Sequence, residues 1–136
     1  MVEIDDSLRR AAASQRIASE RLLAPSDITP AQFAVLQIVA AASGMSSAEV
    51  ARLERLTPAT MSVIVGNLER RGAIARRPHP KNARIQCLEP TRLGLELREG
   101  ALASIQSLRG RICAAMPIGA ASGILVWLAR VAEIEV

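Results

Sequence analysis

Aromatic side chains are almost missing from this 136-residue chain, which has one phenylalanine, one tryptophan and no tyrosine. Its core must therefore be aliphatic, built from Leu, Ile, Val and Ala, and that suits packed helices better than a β-sandwich. Histidine is as scarce. The single one, His79, lies between Pro78 and Pro80 with no acid nearby. There is also no Gly-rich phosphate loop, no nucleophile elbow and no cluster of carboxylates, so no catalysis and no cofactor are expected. Cys87 and Cys113 are too few and too far apart for a metal motif or a disulfide framework. Both are expected to be buried, inert thiols. The longest apolar run, around Ile118 to Ala129, is too short to span a bilayer. Met1-Val2-Glu3-Ile4-Asp5-Asp6 is no basic-then-apolar leader. The expected location is the cytoplasm, away from membranes.

One further absence is local. Between Arg70 and Leu88 there is no acid, yet Arg70, Arg71, Arg76, Arg77, Lys81 and Arg84 all fall there. Residues 1–24 and the residues after Leu88 balance their charges, so more than the whole net charge of +4 sits in this stretch. A solvated face usually mixes signs; a run of one sign favours an anionic partner.

What the chain does have is half its residues hydrophobic, enough for one core in a single domain over residues 1–136. The stretch from Leu56 to Leu88 organises the rest. Thr57 is a good N-cap, with Pro58 at the first helical position. Leu56 and Met61 are placed to close a hydrophobic staple, and Gly72 arrives where a left-handed residue ends a helix. Met61, Ile64, Val65 and Leu68 form the apolar stripe of this helix. Ala59, Thr60, Ser62, Val63, Gly66 and Asn67 form a small, polar outer face of the kind that meets base edges and thymine methyls in a major groove. Two strands follow, Ala73–Arg77 and Arg84–Leu88, with Ile74, Ile85 and Cys87 pointing inward and a loop over Pro78–Ala83. A capped helix followed by a basic hairpin reads as the recognition helix and wing of a winged helix-turn-helix.

The preceding helices fit that reading. Thr29-Pro30 opens one through about Ala42, and Ser46-Ser47-Ala48-Glu49 reads as a capping box for a short helix from Ser47 to about Leu53. Residues 3–23 carry a 4-3-4-3-4 seam of Ile4, Leu8, Ala11, Gln15, Ala18 and Leu22. Past Thr91, a long helix to about Ala115 keeps the rhythm through Leu93, Leu97, Ala101, Ile105, Leu108 and Ile112. A final apolar helix carries Ile124, Leu125, Leu128 and Val131. These terminal helices exceed what a winged core needs, so a homodimer is the natural cover for Ile4, Leu8, Ala11, Leu22, Leu108, Ile112, Leu125 and Leu128.

Thr29, Val35-Leu36, Glu49-Val50-Ala51, Leu53, Thr60-Met61-Ser62, Leu68-Glu69-Arg70-Arg71-Gly72, Arg76, Arg84, Thr91 and Gly94 together give the chain a likeness. From about residue 29 to 97 it resembles the MarR (multiple antibiotic resistance regulator) family of bacterial transcription factors. The resemblance implies a mainly α (α+β) fold, a winged helix-turn-helix with a two-stranded wing. It also implies an obligate homodimer formed by the terminal helices. Such proteins bind a pseudo-palindromic operator, usually as repressors relieved by a small ligand or by oxidation. The chain departs from the family pattern at Val63, where an arginine is common, at Asn82-Ala83 before Arg84, and at Pro90.

The expected partner is double-stranded DNA. Thr57, Thr60, Ser62, Val63 and Asn67 would face the major groove, and Ser46 and Ser47 would hold a phosphate at a helix N-terminus. Arg76, Arg77, Lys81 and Arg84 would supply the wing's contacts. Residues 29–90 would form the DNA-binding core, and 1–24 and 91–136 the dimerisation helices. No constellation marks a site for an effector. The alternative is an interaction module on the same fold that has lost strong operator binding and pairs with another regulator; a non-specific nucleic-acid binder is a third reading.

Overall fold

Threonine and serine caps set the helical half of the chain. In the computed structural model, which describes residues 2–135, the order is α1 (Val2–Leu23), a 3-10 turn (Ala24–Ser26), α2 (Pro30–Ala41), α3 (Ser47–Leu53) and α4 (Pro58–Arg70). These are followed by β1 (Ile74–His79), β2 (Asn82–Pro90), α5 (Arg92–Ala114) and α6 (Ala121–Ala132). The chain forms two compact units, residues 1–105 and 106–136, with the boundary inside α5.

Each cap satisfies N–H groups that a helix start leaves without partners. The Gln32 N–H donates to Thr29 Oγ1 at 3.1 Å, and the Thr29 N–H donates to Gln32 Oε1 at 3.1 Å, a reciprocal capping box. The sequence pattern placed that box at Ser46 instead. There the serine half forms, with the Glu49 N–H donating to Ser46 Oγ at 3.1 Å. The Ser46 backbone is at the same time bridged to Cys87 of β2, which sets its geometry from outside the helix.

The core of the first unit is aliphatic, as composition demands. Leu36 and Val39 of α2, Val50 of α3, Met61, Val65 and Leu68 of α4, Leu88 of β2 and Ala101 of α5 are buried together with Phe33. On α1 the buried residues are Ser19 and Leu23, with Gln15 Nε2 donating to Ser19 Oγ at 3.1 Å. The predicted seam of α1 lies elsewhere, with Ile4 exposed. The base of the wing is tied to the turn before α3, where the Leu88 N–H donates to Met45 O at 2.8 Å and the Gly44 N–H to Leu88 O at 2.9 Å.

The wing departs from the predicted hairpin in two ways. Its strands are longer, and the loop shrinks to Pro80 and Lys81 between His79 and Asn82. Pro78 lies within β1, opposite Gln86. In a two-stranded ribbon both strands are edges, so a residue without an N–H is tolerated. Ile85 does not point inward; it is 40% exposed. The register slips between Pro78 and His79, which leaves Ala83–Ile85 without partners across the ribbon, and Ala83 through Gln86 are all exposed.

Gly94 explains how α5 meets the rest of its unit. A Cβ at Gly94 would fall 1.9 Å from Ala73 O, so only glycine permits this approach of helix to backbone. Thr91 locks the junction: its N–H donates to Ala73 O at 3.0 Å, its hydroxyl donates to Gly72 O, and its Oγ1 accepts from the Gly94 N–H at 3.0 Å.

Cys87 is buried, as expected. Cys113 is not: it is exposed on α5, in a stretch where Gln106, Ser107 and the residues from Arg109 to Ala115 are all exposed. Among the described residues no single helix is long and apolar enough to cross a membrane.

Candidate nucleic-acid interface

Three local devices position the helix pair. Ser46 caps α3, and Ser46 and Ser47 stand half-buried at its N-terminus. At the end of α3 the Leu56 N–H donates to Ala51 O at 2.9 Å across Arg55, whose φ of +54° is left-handed. A non-glycine residue there carries backbone strain, and the sequence reading did not anticipate it. Thr57 then caps α4, its Oγ1 accepting from the Thr60 N–H at 3.1 Å and its hydroxyl donating to Thr60 Oγ1 at 3.0 Å.

The two faces of α4 separate as the spacing predicts. Met61, Ile64, Val65 and Leu68 are buried. Thr57, Thr60, Ser62 and Val63 are exposed, Val63 to 62%. Asn67 is half-buried on the flank of the helix, where Arg70 Nη2 donates to its Oδ1. It lines an open cleft of about 590 Å³ together with Arg70, Arg71, Glu20, Asp27 and Gln32. Ala59, Val63, Gly66 and Arg70 follow a 4-3-4 spacing along the outermost line of the helix. Arg70 thus belongs to this face, although the sequence reading left it out of the site.

The basic run is partly neutralised by the acids that bracket it. Arg76 Nε donates to Glu69 Oε2 at 3.0 Å, and Arg77 Nη2 lies 2.6 Å from Glu89 Oε2. Arg71 is engaged inside its unit: its guanidinium donates to Asp27 O, and to Ser26 O at 3.1 Å, closing the 3-10 turn after α1. Lys81 and Arg84 are exposed at the wing tip, with no carboxylate within ion-pair distance among the described residues. The tip is stiffened through the main chain, the Arg84 N–H donating to Asn82 Oδ1 at 3.1 Å and the Lys81 N–H to His79 Nδ1 at 3.1 Å. Asn82 therefore braces the backbone of Arg84 rather than its guanidinium.

The predicted dimer residues divide by unit. In the first, Ile4 and Ala11 are exposed and Leu8 and Leu22 half-buried. In the second, Ile112, Leu125 and Leu128 are exposed and Leu108 half-buried. Trp127 is exposed in the same unit. Among the described residues no group of three or more His, Cys, Asp or Glu side chains could hold a metal ion.

A helix face that is uncharged from Thr57 to Val63, beside a basic ribbon, is a geometry suited to duplex DNA. The family model for the MarR family matches residues 28–85. The HTH-type transcriptional repressor Rv2887 of Mycobacterium tuberculosis is 31% identical over 107 residues, 79% of this chain and 77% of that protein. The chain belongs to the MarR family. This MarR-family regulator also shares its fold with CouR from Rhodococcus jostii RHA1 bound to p-coumaroyl-CoA, with a TM-score of 0.86 and 25% identity over 98% of this chain and 94% of that one. CouR bound to a 23-mer DNA duplex superposes with a TM-score of 0.83 at 25% identity, over 93% of this chain and 90% of that one. As a MarR-family protein the chain is a DNA-binding transcriptional regulator with a winged helix-turn-helix.

Proposed function

We propose that the protein is a homodimeric, cytoplasmic repressor that binds a pseudo-palindromic operator and is released by a small-molecule effector. The observation that carries this reading is the pairing of the uncharged, exposed side chains of α4 from Thr57 to Val63 with exposed cations at the wing tip, Lys81 and Arg84. Thr57, Thr60, Ser62 and Val63 enter the major groove, Asn67 and Arg70 border it, and Ser46 and Ser47 hold a backbone phosphate. Lys81 and Arg84 track the phosphates or the adjacent minor groove, while Arg76 and Arg77 stay paired with Glu69 and Glu89. Residues 1–136 act as one domain, with 29–90 as the DNA-binding core and 1–24 and 91–136 as the dimerisation helices. The protein binds rather than catalyses. The effector reading draws on CouR, which holds p-coumaroyl-CoA.

Two copies of α4 related by a twofold axis address half-sites about one helical turn apart, roughly 10 bp. Selection of bound duplexes from a random pool at near-physiological salt tests this. A palindrome with that spacing is the expected result. Bound DNA without a consensus would mean non-specific binding, and no bound DNA would favour the interaction module.

A further inference from the structure

We propose that Val63 is the specificity-determining residue of the recognition helix and that it reads a thymine methyl group in the major groove. The inference rests on the DNA-binding reading above and names the base it selects.

Val63 occupies the outermost line of α4, 62% exposed, between Ala59 and Gly66. It adds nothing to the core, which Met61, Ile64, Val65 and Leu68 fill from the opposite face. A β-branched residue is a poor choice for an exposed helix interior on propensity alone. It is the largest apolar side chain exposed on this face. Between Thr57 and Gly66 the exposed face has no arginine or lysine to grip guanine and no asparagine or glutamine to grip adenine. The hydroxyl of Thr57 is spent on Thr60, and Thr60 Oγ1 accepts that bond.

Gly66 adds a second, independent observation. A Cβ there would meet only Arg70 Nη1 at 3.6 Å, an ordinary contact, so no contact among the described residues requires glycine. Glycine inside a helix is nevertheless about 1 kcal/mol worse than alanine. Its absent side chain clears the ridge beside Val63 and lets the helix backbone approach a surface outside the chain. That surface is polar and anionic, since Arg70 lies at one end of the same line and Lys81 and Arg84 project from the wing. In a major groove the one apolar group offered to an uncharged, methyl-bearing side chain is the C5 methyl of thymine.

The test starts from the consensus selected by the full-length protein and replaces each thymine in turn by deoxyuridine, which removes the methyl group alone. At one or two positions per half-site the replacement should weaken binding about fourfold, the worth of one buried methyl. In Val63→Ala, which keeps a good helix former at the site, that loss should vanish while affinity for the unmodified duplex falls by a similar factor. Two results overturn the proposal: a consensus whose affinity ignores every thymine methyl, or a thymine preference that survives in Val63→Ala. If no duplex is enriched at all, the DNA-binding reading fails and this one with it.

Discussion

Arg76 Nε donates to Glu69 Oε2 at 3.0 Å, so the last acid before the basic run holds a cation at its centre. The bond also ties the base of β1 to the last turn of α4. Both side chains are more than a third exposed, so the pair is worth at most about 1 kcal/mol of stability. Its larger effect is on charge. Glu69→Gln should leave the melting temperature nearly unchanged and free Arg76 for phosphate. The slope of log K against log salt should then steepen by up to about one. An unchanged slope would show that Arg76 already serves the DNA in the presence of Glu69.

Two arginines of the same run should separate cleanly. Arg84 stands exposed at the wing tip, whereas the Arg71 guanidinium donates to the Ser26 and Asp27 carbonyls. Arg84→Ala should weaken binding to all sequences and flatten the salt slope by about one, with stability intact. Arg71→Ala should lower stability by about 1 kcal/mol and leave the slope alone. If the two variants exchanged these effects, the assignment of Arg84 to the DNA contact would be wrong.

Gly94 approaches Ala73 more closely than any side chain would allow. Because a Cβ would lie 1.9 Å from Ala73 O, Gly94→Ala must push α5 away from the start of the wing. Denaturant unfolding should show a loss of about 1–3 kcal/mol, at the upper end because backbone rather than a side chain must move. Full stability in this variant would rule out so close an approach of α5 to Ala73.

The exposed apolar residues of α6 make dimerisation testable without DNA. Leu125 is 66% exposed, and glutamate is a good helix former, so Leu125→Glu should preserve the helix. Sedimentation should then find a monomer where the parent chain sediments as a dimer. A dimer undiminished by the substitution would move the interface elsewhere, to α1 or to the far face of α6.

The sequence alone determined whatever depends on neighbours in the chain. Thr29, Ser46 and Thr57 cap helices because a side-chain oxygen reaches an N–H three residues on, and Gly72 ends α4 with a φ of +72° because no Cβ obstructs it. The two faces of α4 follow in the same way from the helical repeat. The uncharged stretch of its outer face from Thr57 to Val63 was therefore legible from residue order, and so was the family. Only the tertiary structure decided which charges are free and which residues the wing buries. Glu69 with Arg76, Arg77 with Glu89 and Arg71 with the turn after α1 are pairings across the fold, and counting charges along the run could not distinguish them from Lys81 and Arg84. Ile85 is exposed where the register slips at Pro78, and Cys113 is exposed on α5. Local hydrogen bonds span a few residues and can be read in order, whereas ion pairs, strand register and burial depend on what the folded chain brings alongside.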